Sequence, residues 1–102
     1  MKTIIRYKGF SPDQLTKDEV NHMVQRLKTF DLGDATVLSY LEFDGHQYLC
    51  SIDVLLMGTS LYTTAIHDSY KTSVFEAENE ICKKLKSSQG SRYYQDQPWF
   101  ME

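Results

Sequence analysis

Three histidines, two cysteines and five glycines are the residues that catalysis or metal binding would draw on first. Asp44-x-His46 and His67-Asp68 each set a carboxylate beside an imidazole, the pairing that orients a general base. The three histidines, His22, His46 and His67, fall on a helix, a hairpin edge and a strand end. That is too dispersed for a metal site or a nucleophile–base pair. Turn chemistry and helix capping account for both aspartates without an active site. Cys50 and Cys82 stand 32 positions apart, which is no metal-ligand spacing. They read as reduced packing cysteines of a cytosolic protein. The glycines are isolated turn residues, and none belongs to a phosphate-cradling loop. The expectation is a protein with no enzymatic activity, no metal and no cofactor.

Binding chemistry has more to work with. The chain has 11 basic and 14 acidic residues, a formal charge of −3. A dedicated RNA binder is usually basic overall, because phosphate contacts supply most of its affinity. An RNA-binding role here therefore requires positive charge concentrated locally. Tyr40 and Tyr62 alternate against Leu41 and Leu61, which puts them on the sheet surface away from the helices. Aromatics on an open sheet can stack unpaired bases, although tyrosine also simply suits a half-exposed pleated surface. Tyr93, Tyr94, Trp99 and Phe100 crowd four large aromatics into a polar tail. They are expected to fold back over Leu38, Leu49, Leu55 and Ile66 on the open face, or to dock on a partner.

The elements that position these residues follow from periodicity. Residues 3–8 read as a strand, with Thr3, Ile4, Ile5 and Tyr7. Ser11-Pro12, Asp13 and a Thr16-x-x-Glu19 pattern offer alternative helix starts. Leu15, Val20, Met23, Val24 and Leu27 then recur at helical spacing to about Phe30. Residues 35–44 alternate as a second strand, and Asp44-Gly45 is a two-residue hairpin signal. A third strand spans 46–57 and a fourth 60–66, with a less clearly typed reversal at Gly58-Thr59. Asp68 or Ser69 caps a second helix to about Ser87, carrying Val74, Ala77, Ile81 and Leu85 on one face. The order is β-α-β-β-β-α. A right-handed crossover and sequential hairpins give an α+β fold, a four-stranded mixed sheet with two parallel helices on one face. Residues 1–88 form the domain and 89–102 a tail. A chain of 102 residues supports one core, and no apolar run approaches the ~20 residues that span a bilayer. The N-terminus carries no secretory signal.

This topology places charge as well. Parallel helices on one face are expected to end at one edge, bringing together Arg26, Lys28, Lys83, Lys84 and Lys86, with Arg92 nearby. The acids Asp13, Asp18, Glu19, Glu76, Glu78 and Glu80 lie earlier in the helices. Dipole compensation alone favours that arrangement. It also describes a basic end able to bind backbone phosphates despite the net charge.

Strand, glycine, strand, Asp68-Ser69-Tyr70 and amphipathic helix, in that order, resemble the bacterial ribosome hibernation-promoting factors and ribosome-associated inhibitors (the sigma-54 modulation proteins). The resemblance covers about residues 2–88. Ser11-Pro12 is similar to the Thr-Pro that opens the family's first helix, and Val20, Val24 and Leu27 fall on its buried positions. Lys17 and Arg26 match basic positions, while Met23 stands where the family tends to place a basic residue. Asp68-Ser69-Tyr70 looks like the family's Asp-Met-Tyr, and Val74, Ala77, Ile81 and Leu85 continue the match. Lys83 occupies a basic position and Glu80 replaces another. The chain lacks the family's additional C-terminal domain and so resembles the short type.

The resemblance implies a cytoplasmic translation inhibitor that binds the small ribosomal subunit in the channel between head and body. There it would cover the mRNA and tRNA sites during stationary phase or stress. The RNA-binding residues it implies are Lys17, Arg26, Lys28, Lys83, Lys84, Lys86 and Arg92, with ribosomal RNA as partner and neither DNA nor membrane involved. The alternative is an acidic protein-binding module, inhibitor or immunity-like. It would use Tyr40, Tyr62, Trp99 and Phe100, with self-association through the tail.

Overall fold

The computed structural model describes the backbone of residues 1–95 and the side chains of residues 1–88. Its elements are β1 (Lys2–Lys8), α1 (Gln14–Leu27), β2 (Thr36–Phe43), β3 (Tyr48–Leu56), β4 (Thr59–His67) and α2 (Tyr70–Gln95). The sheet order is β1-β2-β3-β4. β1 runs parallel to β2, and the other two pairings are antiparallel. The α+β architecture is the one expected.

Among the competing starts for α1, Asp13 prevails. Its carboxylate accepts from the Thr16 amide at 2.8 Å and the Thr16 hydroxyl at 2.7 Å, satisfying a donor that the first helical turn leaves open. These bonds hold the Asp13 carboxyl below the usual aspartate range. The buried face of α1 is Thr16, Val20, Met23, Val24 and Leu27. Leu15, expected on that face, is 68% exposed. One residue of helix rotates a side chain by about 100°, so Thr16 takes the inward position and Leu15 points to solvent.

Val74, Ala77, Ile81 and Leu85 of α2 join the α1 residues over Val37, Leu41, Cys50, Ile52 and Val54 of the sheet. Both helices therefore cover one face of the sheet. Ser73, fully buried, donates its hydroxyl to the Tyr48 carbonyl at 2.8 Å and ties the start of α2 to β3. At that end Phe10, Phe43 and Tyr48 pack with centroids 4.6–6.5 Å apart, and Tyr70 meets Tyr48 edge-on at 6.0 Å. Tyr70 of the Asp-Ser-Tyr sequence is thus a packing residue at the head of α2.

Two reversals differ from expectation. β2 and β3 pair to Phe43–Tyr48, and beyond it the Asp44 amide donates to the Gln47 carbonyl at 3.2 Å, so the tight turn is at Gly45-His46, one residue on from Asp44-Gly45. The Asp44 carboxylate accepts from the amides of His46 and Gln47, both at 2.8 Å, and holds that turn closed. The next reversal is at Met57-Gly58, between the paired Leu56 and Thr59, also one residue from the expected Gly58-Thr59. At the end of β1, Gly9 has φ +84° and a Cβ there would lie 2.0 Å from the Phe43 carbonyl oxygen. Only glycine lets the chain leave the sheet past β2.

The second helix continues to Gln95, past the expected end near Ser87. Gly90 lowers helix propensity by about 1 kcal/mol relative to alanine without ending the helix, and the next proline after Pro12 is Pro98. No helix among the described residues is long and apolar enough to cross a membrane.

Candidate nucleic-acid interface

Of the basic residues expected at one edge, Arg26 is engaged in an ion pair between the helices. Arg26, near the end of α1, meets Glu78 in the first half of α2: Nε donates to Oε2 at 2.6 Å and a terminal guanidinium nitrogen to Oε1 at 2.8 Å. Glu78 is 12% exposed and Arg26 53%. The hydrogen bonds to Glu78 push the Arg26 pKa further up, fixing its charge. The cause is helix length. With 14 residues in α1 and 26 in α2, the end of α1 lies beside Glu78 and α2 runs on beyond it. Arg26 is a clamp between helices, and its charge is spent there.

The remaining candidates are spread along the helical layer. Lys83 lies 3.6 Å from Glu80 on the same helix face, both well exposed. Lys84 donates to the Tyr62 carbonyl on the outer edge of β4, covering an edge group that would otherwise invite strand pairing. Lys28 is the C-cap of α1. Lys17, Lys28 and Lys86 are exposed and enter none of the ion pairs among the described residues. Lys17, nine residues before Arg26, sits about 14 Å away along α1. The Arg92 side chain lies outside the described residues, as do Trp99 and Phe100.

The opposite surface holds cations that the sequence reading passed over. β1 alternates its side chains so that Lys2, Ile4, Arg6 and Lys8 share the open face, while Ile5 and Tyr7 pack on the core. Register carries this face across the sheet in rows: Ile4–Leu38–Asp53–Tyr62 and Arg6–Tyr40–Ser51–Thr64. The signal was present in the spacing Lys2-x-x-x-Arg6-x-Lys8, which has one parity. Tyr40 and Tyr62 lie on this face, as expected. Tyr40 donates its hydroxyl to Glu42 at 2.6 Å, and the Tyr62 hydroxyl lies 2.5 Å from that of Thr64. Between them a groove of about 300 Å³ is lined by Ile4, Arg6, Leu38, Tyr40, Asp53 and Tyr62. One carboxylate oxygen of Asp53 is buried and has no hydrogen-bond partner.

Acid–base and nucleophilic chemistry find little to use. His67 and Asp68 are in contact at 2.7 Å but stand 43% and 79% exposed. The Cys50 thiol is buried in the core, which pushes its pKa up to about 12, so it stays protonated and inert. No group of three or more metal-ligating side chains occurs among the described residues.

The chain matches no family model and no curated protein. Solved structures do match. The N-terminal domain of Thermus thermophilus Protein Y superposes with a TM-score of 0.74 at 16% identity, covering 85% of this chain and 98% of that one. A ribosomal subunit interface protein from Coxiella burnetii superposes with a TM-score of 0.75 at 11% identity, covering 88% and 99%. At these identities the likeness is one of fold: the chain shares the fold of both proteins over nearly its whole described length.

Proposed function

We propose that the protein binds the small ribosomal subunit and inhibits translation by occupancy, without catalysis or a cofactor. The observation that carries this reading is the fold shared with a ribosomal subunit interface protein across 88% of the chain. The order of strand, glycine, strand, Asp-x-Tyr and helix in the sequence supports it independently. In this reading the protein is cytoplasmic. It lies in the channel between head and body, covering the mRNA and tRNA sites during stationary phase or stress.

Ribosomal RNA is contacted through Lys17, Lys28, Lys83, Lys86 and Arg92, with Lys84 at the margin and Arg26 holding the helices in place. Charge on few side chains makes the interaction of modest strength, with a salt dependence set by the number of phosphate contacts. Each phosphate contact steepens the fall of log affinity with log salt by about 0.7–0.9. The test is co-sedimentation with isolated small and large subunits at two salt concentrations. Binding to the small subunit that weakens with salt, and weakens further when Lys28, Lys83 and Lys86 become glutamine, is expected. Absence of binding at low salt, or equal binding by the triple variant, would overturn the proposal.

A further inference from the structure

The open sheet face is an amphipathic surface that the helices leave uncovered, and its chemistry is specific. One border is a cation column, Lys2, Arg6 and Lys8, with no ion pair among the described residues. The middle is the 300 Å³ groove between Leu38, Tyr40 and Tyr62. At its floor sits Asp53, with an unpartnered buried oxygen that a hydrogen-bond donor would satisfy.

The segment 96–102, Asp-Gln-Pro-Trp-Phe-Met-Glu, is the complement of that surface in three respects. Its charged residues, Asp96 and Glu102, are both acidic, against three cations. Its Trp-Phe-Met run supplies apolar bulk to an apolar groove. Trp99 is the only tryptophan of the chain, and an indole N–H is a donor without an acceptor, matching an orphaned carboxylate oxygen.

Reach decides which copy the segment serves. The Lys84–Tyr62 contact sets Lys84 level with the groove. Gln95 lies eleven residues further along the same helix, about 16 Å down its axis. From Gln95 the four residues to Trp99 span at most about 14 Å. They must recover those 16 Å and also round the sheet, because α2 packs on the opposite face. A chain's own groove is out of range, and the groove of a second copy is not.

We infer that residues 96–102 of one copy dock in the open-face groove of a second copy, with Trp99 between Leu38, Tyr40 and Tyr62 and its indole N–H on Asp53. Two such exchanges make a closed, two-fold symmetric dimer. The inference is independent of ribosome binding, since it uses the other face of the sheet.

The lone tryptophan is its own reporter. Trp99 emission and sedimentation mass are followed together over a wide range of protein concentration. The expected result is a mass that doubles with concentration while the emission moves to the blue of free N-acetyltryptophanamide, along one binding curve. Leu38→Lys and, separately, Arg6→Glu raise the dissociation constant at least about tenfold. A chain ending at Gln95 stays monomeric. Met57→Lys, on the exposed β3–β4 turn, leaves the curve unchanged. Circular dichroism melts of each variant report folding. Water-like emission at every concentration would overturn the inference. So would a blue shift in a monomer, or a dimer that survives loss of residues 96–102. A monomer that binds a uridine oligomer through Tyr40 and Tyr62 would give the face to RNA and overturn it as well.

Discussion

Glu78→Gln and Arg26→Gln separate two roles for Arg26 that local sequence cannot distinguish. The pair is bidentate, with contacts of 2.6 and 2.8 Å, and is asymmetric in burial, Arg26 being 53% exposed and Glu78 12%. Solvent screening at the arginine holds the pair toward the weak end of charge-assisted bonds. Glu78→Gln is therefore expected to cost about 1 kcal/mol. Arg26→Gln leaves a largely buried carboxylate without its partner and costs more, about 2 kcal/mol. Urea unfolding at constant m-value measures both.

RNA binding moves the other way. Glu78→Gln releases a guanidinium at the helical face and steepens the salt dependence of ribosome affinity by about 0.7–0.9 in log–log slope. Arg26→Gln leaves the slope where it was. If instead Arg26→Gln flattens the slope by that amount and Glu78→Gln changes nothing, Arg26 already contacts phosphate in the native protein. The clamp would then be refuted.

Other expectations follow from individual residues. The Cys50 pKa rises from the ordinary 9 to about 12 in the folded state. The unfolded chain thus loses that proton first, and stability is complete below pH 9 and falls by about 1.4 kcal/mol per pH unit toward pH 12. Unfolding curves between pH 8 and 11 should show this component in the native protein and lose it in Cys50→Ala. Gly9→Ala forces a Cβ to 2.0 Å from the Phe43 carbonyl at φ +84° and should cost about 3 kcal/mol or more. Gly58→Ala, at φ +80° in open space, should cost only about 1–2 kcal/mol by the same melts. Ile81→Ala empties a fully buried site for about 2–5 kcal/mol, whereas Leu15→Ala at 68% exposure should stay within about 0.5 kcal/mol.

What could be read in the sequence was whatever repeats locally. The alternation through β2 and β3 and the helical spacing of Val20, Val24 and Leu27, or of Val74, Ala77, Ile81 and Leu85, fixed which faces are buried. Hairpin order then set the sheet and put both helices on one side. Features that depend on distant contacts were not legible. Arg26 and Glu78 are 52 residues apart, and no local pattern announces that one neutralises the other. The length of α2 escaped because the chain turns polar after Ser87, yet polar residues and a single glycine cost too little to end a helix. The turn between β2 and β3 is shifted by one residue because Asp44 uses its side chain on the amides of His46 and Gln47, which puts Gly45-His46 at the tip. The β1 cations were visible in parity alone. Parity alone does not set them apart from solvated strand residues, just as dipole compensation makes lysines common at helix ends for reasons unrelated to binding.

The claim that the protein occupies the small-subunit channel is tested most directly by hydroxyl-radical footprinting of ribosomal RNA, with and without the purified protein. Protection is expected on small-subunit RNA lining the passage between head and body, fading as salt rises. Protection elsewhere on the ribosome, or none at protein concentrations that saturate co-sedimentation, would contradict it.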